Sequence, residues 1–322
     1  MSSAQESPSS SSQSGSTDAT QVFVPRGQAR PRRVRLPILL FLATCVSTFM
    51  LGSLHWHPNS LTVGSATDGV YVRQLIYEHW QDGLIYMVCL LGILLFHEFG
   101  HFIATLRYRI PASFPFFLPC PVNPLGTLGA VIVMDGKLAN RKEIFDIGLA
   151  GPIAGLVVAV PVMWIGVHQL DLSTDQFGTY RLDLMAAASM FIQTIQPPGH
   201  EGATSIWQQQ LNPYFMAGWV GMLVTGLNMM PVSQLDGGHV LYAIFGRRAH
   251  WIARGFMAFA IAHILFHDSL HWLLMYALVY LLIGIDHPPT SDDTVKLGWF
   301  RIALGLASLA IPFLTFTTYF IR

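Results

Sequence analysis

The sequence predicts an all-α polytopic membrane protein of about six or seven transmembrane helices, with one small membrane-associated β-element near residues 114–136. Three observations predict it. Hydrophobic residues fill 52% of the 322 positions and charged residues only 11%, against roughly 25% charged in soluble domains. Mean hydropathy is +0.47, which points to lipid as the main solvent. The apolar residues are also gathered into runs near the ~20 residues a helix needs to cross a bilayer. Formal net charge is zero, so nothing electrostatic suggests a nucleic-acid or polyanion partner. Cys45, Cys89 and Cys120 are too few and too scattered for a disulfide framework or a zinc ribbon, and receive no role.

Taken in order, residues 1–35 open Ser-rich and end with Arg26, Arg30, Arg32, Arg33 and Arg35. Such a stretch has little to bury and is expected to be disordered, either as a solvated tail or as an organelle transit peptide. The transmembrane domain then occupies 36–322, with residues 84–245 as its core. Apolar runs predict spans near 36–54, 84–106, 147–169, 213–231, 251–267, 269–285 and 299–319. The fifth and sixth part only around His267-Asp268 and form a tight hairpin. With the N-terminus cytoplasmic, the tail, loop 107–146, segment 247–254 and segment 286–298, with Arg301 at the edge of the last span, hold fifteen of the Lys and Arg residues. Arg73, Arg181 and Arg322 remain for the other face. That asymmetry fixes the topology by the positive-inside rule.

The second span runs apolar from Gly83 to Phe96 and ends in His97-Glu98-Phe99-Gly100-His101. Histidines four apart on a helix lie one turn apart on one face. They can grip one Zn²⁺ and leave the intervening carboxylate beside a metal-bound water. HExxH by itself also occurs as an ordinary polar helix turn. Here, however, an ionisable group in a membrane helix costs about 2.5–3.5 kcal/mol without compensation, and a metal supplies that compensation.

A catalytic zinc site takes three protein ligands. The best candidate for the third ends the fourth span, in Asn228-Met229-Met230-Pro231-Val232-Ser233-Gln234-Leu235-Asp236-Gly237-Gly238-His239. Asp236 is the only acid in a long apolar stretch. Pro231 breaks the helix, and Gly237-Gly238 permit a turn that aims the carboxylate inward. The alternative is that Asp236 caps the helix that follows. His101 and Asp236 both fall at cytoplasmic ends of their spans, so they can meet. Asn228 could bond substrate backbone or hold the broken helix.

These residues resemble the site-2 protease family of intramembrane zinc metalloproteases, in its branch without a PDZ domain, closest to plastid and cyanobacterial members. The resemblance rests on His97-Glu98-Phe99-Gly100-His101 and on the Asn-x-x-Pro-x-x-x-Leu-Asp-Gly block from Asn228 to Gly237. It implies His97, His101 and Asp236 as ligands of one Zn²⁺ per chain, with Glu98 as the catalytic acid/base. Asp146 with Ala150-Gly151-Pro152-Ile153-Ala154-Gly155 is similar to a core-helix segment of that family. Gly126-Thr127-Leu128-Gly129-Ala130 resembles its membrane-associated β-sheet region. Residues 170–212 are too few for a PDZ domain. His239, just after Asp-Gly-Gly, is a potential extra ligand.

The expected activity is therefore endoproteolysis of membrane-embedded substrates, single-span membrane proteins in particular. Gly126, Thr127, Leu128, Gly129 and Asn228 are the expected substrate-binding residues. Residues 125–136 combine glycine and β-branched residues with an Asp135-Gly136 turn signal. They predict a hairpin whose edge strand adds an unwound substrate as a further strand. Gly151 and Gly155, spaced as small-xxx-small, predict close helix packing rather than chemistry. His263, His267 and His271 read as a polar patch at the far membrane face. His55, His57, His79, His168 and His200 receive no assignment. The protein is expected in a bacterial cell (inner) membrane or a plastid membrane, its active site towards the cytoplasmic side. A metal transporter would spread polar residues over several spans at mid-depth, whereas here they concentrate at one end of two. An inactive scaffold is disfavoured by the intact Glu98.

Overall fold

The first apolar run becomes helix α1, Arg35–Ser53, which begins on Pro37 in its first turn, where a missing N–H costs nothing. The computed structural model describes residues 34–56, 66–123, 125–172, 181–196, 205–266, 284 and 287–316. The expectations for the N-terminal tail, for the span at 269–285 and for His57, His200, His267, Asp268 and His271 lie outside these. Helix α1 turns its larger apolar side chains outward: Leu36, Ile38, Leu39, Leu42 and Val46 are exposed, while Thr44, Ser47, Thr48 and Gly52 are buried. Small and hydroxyl residues inside with branched aliphatics outside is the packing of a membrane helix. Two of the buried hydroxyls are satisfied within the helix, Thr44 Oγ1 on Leu40 O at 2.8 Å and Thr48 Oγ1 on Thr44 O at 2.7 Å.

Helix α2, Ala66–Tyr108, contains a non-helical break at His79, and its portion Val72–Tyr108 is long and apolar enough to span. Strands β1, Phe116–Cys120, and β2, Gly126–Val131, pair antiparallel, Phe116 opposite Val131 and Cys120 opposite Gly126, with a bulge between. Thr127 lies beside that bulge, its Oγ1 donating to Leu118 O at 2.9 Å and accepting from Gly129 N at 3.0 Å. The ladder thus closes at the Cys120–Gly126 pair. The Asp135-Gly136 signal marks the other end of the ladder instead, where Ala112 bridges Met134 and a 3₁₀ turn follows.

Helix α3, Arg141–His168, starts with a capping box in which Asn140 accepts from Lys142 and Glu143 amides while Glu143 reaches back. Two three-residue strands, β3 (Arg181–Asp183) and β4 (Ser205–Trp207), pair on either side of α4, Ala186–Ile195. Segments this short carry no periodicity, which is why the sequence does not reveal them. Helix α5, Pro213–Asn228, buries twelve of its sixteen residues. The expected span 213–231 is therefore shortened: sixteen residues rise about 24 Å, because the helix stops at Asn228 ahead of Pro231. Helices α6, Asp236–Phe245, and α7, Ala249–Phe266, follow, broken by Gly246 at φ 57°. The expected span 251–267 is one part of this longer apolar stretch, Asp236–Phe266. The last expected span, 299–319, is two short helices, α8 (Trp299–Ser308) and α9 (Ile311–Thr315). Among the described residues, four stretches are long and apolar enough to cross a membrane.

Helices α2, α3 and α5 pack on one another, α1 packs on α2 and the β1–β2 pair, and α6 packs on α3. Leu90, Ile93, Met163, Val167, Phe215 and Trp219 fill the space between them. Charged residues lock one end of this bundle. Arg301 donates to Asp146 from Nε at 2.7 Å and Nη2 at 3.0 Å, and Tyr108 donates to the same carboxylate at 2.5 Å. Arg141 donates to the terminal carbonyls of α6, Ala243 and Ile244, where a cation also opposes the helix dipole.

Candidate metal centre

His97, Glu98 and His101 occupy consecutive turns of α2 and are nearly closed to solvent, at 2%, 4% and 6% exposure. The two imidazoles can lie so deep because α3 has no side chain where they need room. A Cβ on Gly151 would fall 2.0 Å from His101 Nε2. The Gly151/Gly155 pair does provide the close packing that its spacing predicts, and the group it admits is a histidine ring.

Asp236 reaches the pair from the opposite side. The chain leaves α5 at Asn228 and crosses a short loop, with Ser233 in the left-handed region at φ 48°. It re-enters helix at Asp236. The loop closes against the first turn of α6 so tightly that a Cβ on Gly237 would meet Met229 O at 1.9 Å. Leu235 is the N-cap residue, and Asp236 forms no capping bond. Its carboxylate goes to the histidines, Oδ2 at 3.1 Å from His97 Nε2 and Oδ1 at 3.2 Å from His101 Nε2. The two Nε2 atoms are 3.2 Å apart.

These separations suit a metal. Bonds of 2.0–2.1 Å at tetrahedral angles put neighbouring donors about 3.3–3.4 Å apart, and the three distances here fall within a few tenths of an ångström of that. The protonation pattern suits it as well. His101 Nδ1 faces Ile147 O at 2.8 Å, so the ring proton belongs on Nδ1 and the Nε2 lone pair points into the site. Ile147 acts through its backbone, which no side-chain motif could signal. Glu98, between the histidines, lies within electrostatic reach of both and of Asp236. Asn228 brings its amide nitrogen to 3.2 Å from His97 Nε2, placing an N–H donor beside the same face.

His239 is not in this cluster. Its Nδ1 lies 2.7 Å from His287 Nε2. His287 Nδ1 in turn donates to Pro288 O at 2.5 Å, which leaves Nε2 as the acceptor and His239 Nδ1 as the donor. Burial first of all pushes the pKa of His287 down to about 4, so it is neutral at physiological pH. Gly126, Thr127, Leu128 and Gly129 lie on β2, which packs on α1 and α2. A Cβ on Gly129 would lie 3.7 Å from Val224 Cγ1, one turn before Asn228. His55 and His79, unassigned from the sequence, meet at Asp82. His263 is described, at the end of α7, and belongs to no metal-type cluster among the described residues.

Two imidazoles one helical turn apart and a carboxylate from a second membrane segment make up the donor set of a zinc site, and the buried glutamate between the imidazoles makes it that of a zinc peptidase within a polytopic helical scaffold. The chain belongs to peptidase family M50, whose model matches residues 85–267, and zinc is the cofactor its relatives' names carry. It is similar to the probable chloroplastic zinc metalloprotease EGY1 of Arabidopsis thaliana, 32% identical over 87% of this chain and 52% of the relative. It is also similar to EGY2 of the same plant, 27% identical over 75% of this chain and 43% of the relative. A third relative, EGY3 of Oryza sativa subsp. indica, is 25% identical over 74% of this chain and 42% of the relative. The chain spans about half the length of these curated relatives or less.

Proposed function

We propose that the chain is an intramembrane zinc endopeptidase that cuts membrane-embedded substrates, single-span proteins in particular. His97, His101 and Asp236 hold one zinc ion and Glu98 is the general base. The supporting observation is the triangle of donors from two segments 3.1–3.2 Å apart. A zinc ion held by these residues would supply Lewis acidity, lowering the pKa of a water towards about 7 and polarising the scissile carbonyl. Glu98 takes the proton from water as the oxygen adds to the carbonyl carbon. It returns that proton to the departing nitrogen as the C–N bond breaks, so the carboxylate is regenerated. The Ile147 carbonyl holds the His101 imidazole in place, and the Asn228 amide donates a hydrogen bond to substrate backbone beside His97.

A membrane helix hides its peptide bonds in its own i to i−4 hydrogen bonds, so it must unwind to be cut. Strand β2 is proposed to take the unwound segment along its outer edge, with Gly126, Thr127, Leu128 and Gly129 as contacts. Two features support this: β2 has a single partner strand among the described residues, and Leu128 and Val131 are exposed. The lysine and arginine asymmetry supports an active site towards the cytoplasmic side, and the relatives' names favour a plastid membrane. The test is cleavage of a single-span substrate by detergent-purified protein. Glu98→Gln should keep its zinc and lose activity by about 10²-fold or more; full activity in that variant refutes the role of Glu98.

A further inference from the structure

We propose that His55, His79 and Asp82 form a second divalent-cation site, separate from the catalytic centre and at the opposite end of α2, which takes a zinc-class transition-metal ion on two imidazoles and a carboxylate. His55 Nε2 is 3.3 Å and His79 Nδ1 3.5 Å from the same oxygen, Asp82 Oδ2. One donor atom from each residue lies within 4.8 Å of the other two, the same criterion met by His97, His101 and Asp236. The imidazole rings of His55 and His79 are 4.2 Å apart at 58°, an inclination that lets two nitrogens converge on one point. Two imidazoles and one oxygen suit zinc, copper, nickel or ferrous iron rather than calcium or magnesium. The three side chains are each about one-third exposed, at 32%, 35% and 33%, so water can fill the remaining coordination positions.

The backbone departs from helix at both points that deliver the histidines. After α1 the chain turns through His55 and Trp56 at φ 50° and 55°. Two consecutive non-glycine residues in the left-handed region are strained and must be held there by their surroundings. The turn is held by Trp56, fully buried with its ring 5.3 Å from that of Tyr86, and by Gln208 Nε2 donating to His55 O at 3.2 Å. On α2, His79 itself leaves helical geometry at φ −116°, ψ 22°, while Asp82, three residues on, stays in the helix and points to the same side. The site lies about 22 Å along α2 from His97 and shares no residue with the catalytic centre. An ion there ties the end of α1 to α2, and α1 is the helix whose Ser47 hydroxyl bonds Gly126 O at 2.7 Å at the start of β2.

The test is zinc stoichiometry by equilibrium dialysis of the full chain in detergent, followed by metal analysis. Wild type should take up two equivalents, the half-open second site filling at higher free zinc. Asp82→Asn and His79→Gln should each keep the first equivalent and bind the second at least tenfold more weakly. His97→Ala should lose the first and keep the second, which separates this site from the catalytic one. Saturation of wild type at one equivalent overturns the proposal, as does a second equivalent unchanged in both Asp82→Asn and His79→Gln, since that would be adventitious surface binding. If Asp82→Asn fails to fold, shown by loss of the first equivalent too, the His79→Gln result decides.

Discussion

Replacing Gly151 by alanine should eject His101 from the metal centre. The new methyl carbon would stand 2.0 Å from His101 Nε2, 2.4 Å from Cε1 and 2.5 Å from Cδ2. Ordinary carbon contact begins near 3.5 Å, so the ring must retreat by roughly 1.5 Å. A zinc–imidazole bond tolerates only about 0.2 Å, and the atoms met are those of the His101 ring itself. Disturbing a partner that merely orients a ligand costs 10–100-fold in metal affinity; displacing the ligand itself should cost at least about 100-fold. Gly155→Ala is the graded control. There the added carbon meets His97 Cβ and Nδ1 at 3.1 Å, a few tenths of an ångström of crowding, and affinity should fall by less than about tenfold. Helix propensity acts in the opposite direction, since alanine favours an interior helix position by about 0.5–1 kcal/mol over glycine. Competition of each purified variant against a zinc chelator gives the affinities, with substrate cleavage as the second reading. Equal zinc affinity in Gly151→Ala and wild type would refute the packing account of the site.

Three further outcomes follow from the same geometry. Asp236→Ala should lose bound zinc while remaining helical by circular dichroism; full retention would move the third ligand elsewhere. Proline at Val131 or Ile132 should lower cleavage of a membrane substrate and leave zinc content unchanged, and unaltered cleavage would discard strand addition at β2. Acid should weaken the fold through His287. Its pKa is about 4 when folded against 6.5 when exposed, so the unfolded chain binds the extra proton between those values. The stability from keeping it neutral is whole above 6.5 and lost as pH falls towards 4. The thermal midpoint of chelator-treated protein should drop across that window, and drop less in His287→Asn; equal slopes would remove His287 as the cause.

The sequence announces those parts of the molecule whose chemistry is local. His97, Glu98 and His101 need only one helix turn to converge, and the cost of charge in lipid makes their presence conspicuous. Asp236 is legible for the same reason, although spacing alone leaves it either a ligand or a cap; the tertiary fold adds what spacing lacks, bringing α6 against α3 and the carboxylate to the histidines. What the sequence does not reveal depends on contacts between distant segments. Ile147 acts through its carbonyl, and Gly151 matters for the side chain it lacks. His55 and His79 are 24 positions apart and carry no motif until α1 and α2 pack side by side. Helix boundaries shift where one helix is shielded by others, as α5 is, because a buried helix need not match the bilayer thickness. Strands of three residues, such as β3 and β4, offer too few positions for alternation to register.

A zinc-edge anomalous difference map from crystals of the zinc-loaded protein tests the central claim most directly. The strongest peak should lie about 2.0–2.2 Å from His97 Nε2, His101 Nε2 and an Asp236 carboxylate oxygen together. A strongest peak elsewhere, or one bonded to the two histidines with Asp236 turned away, would contradict it.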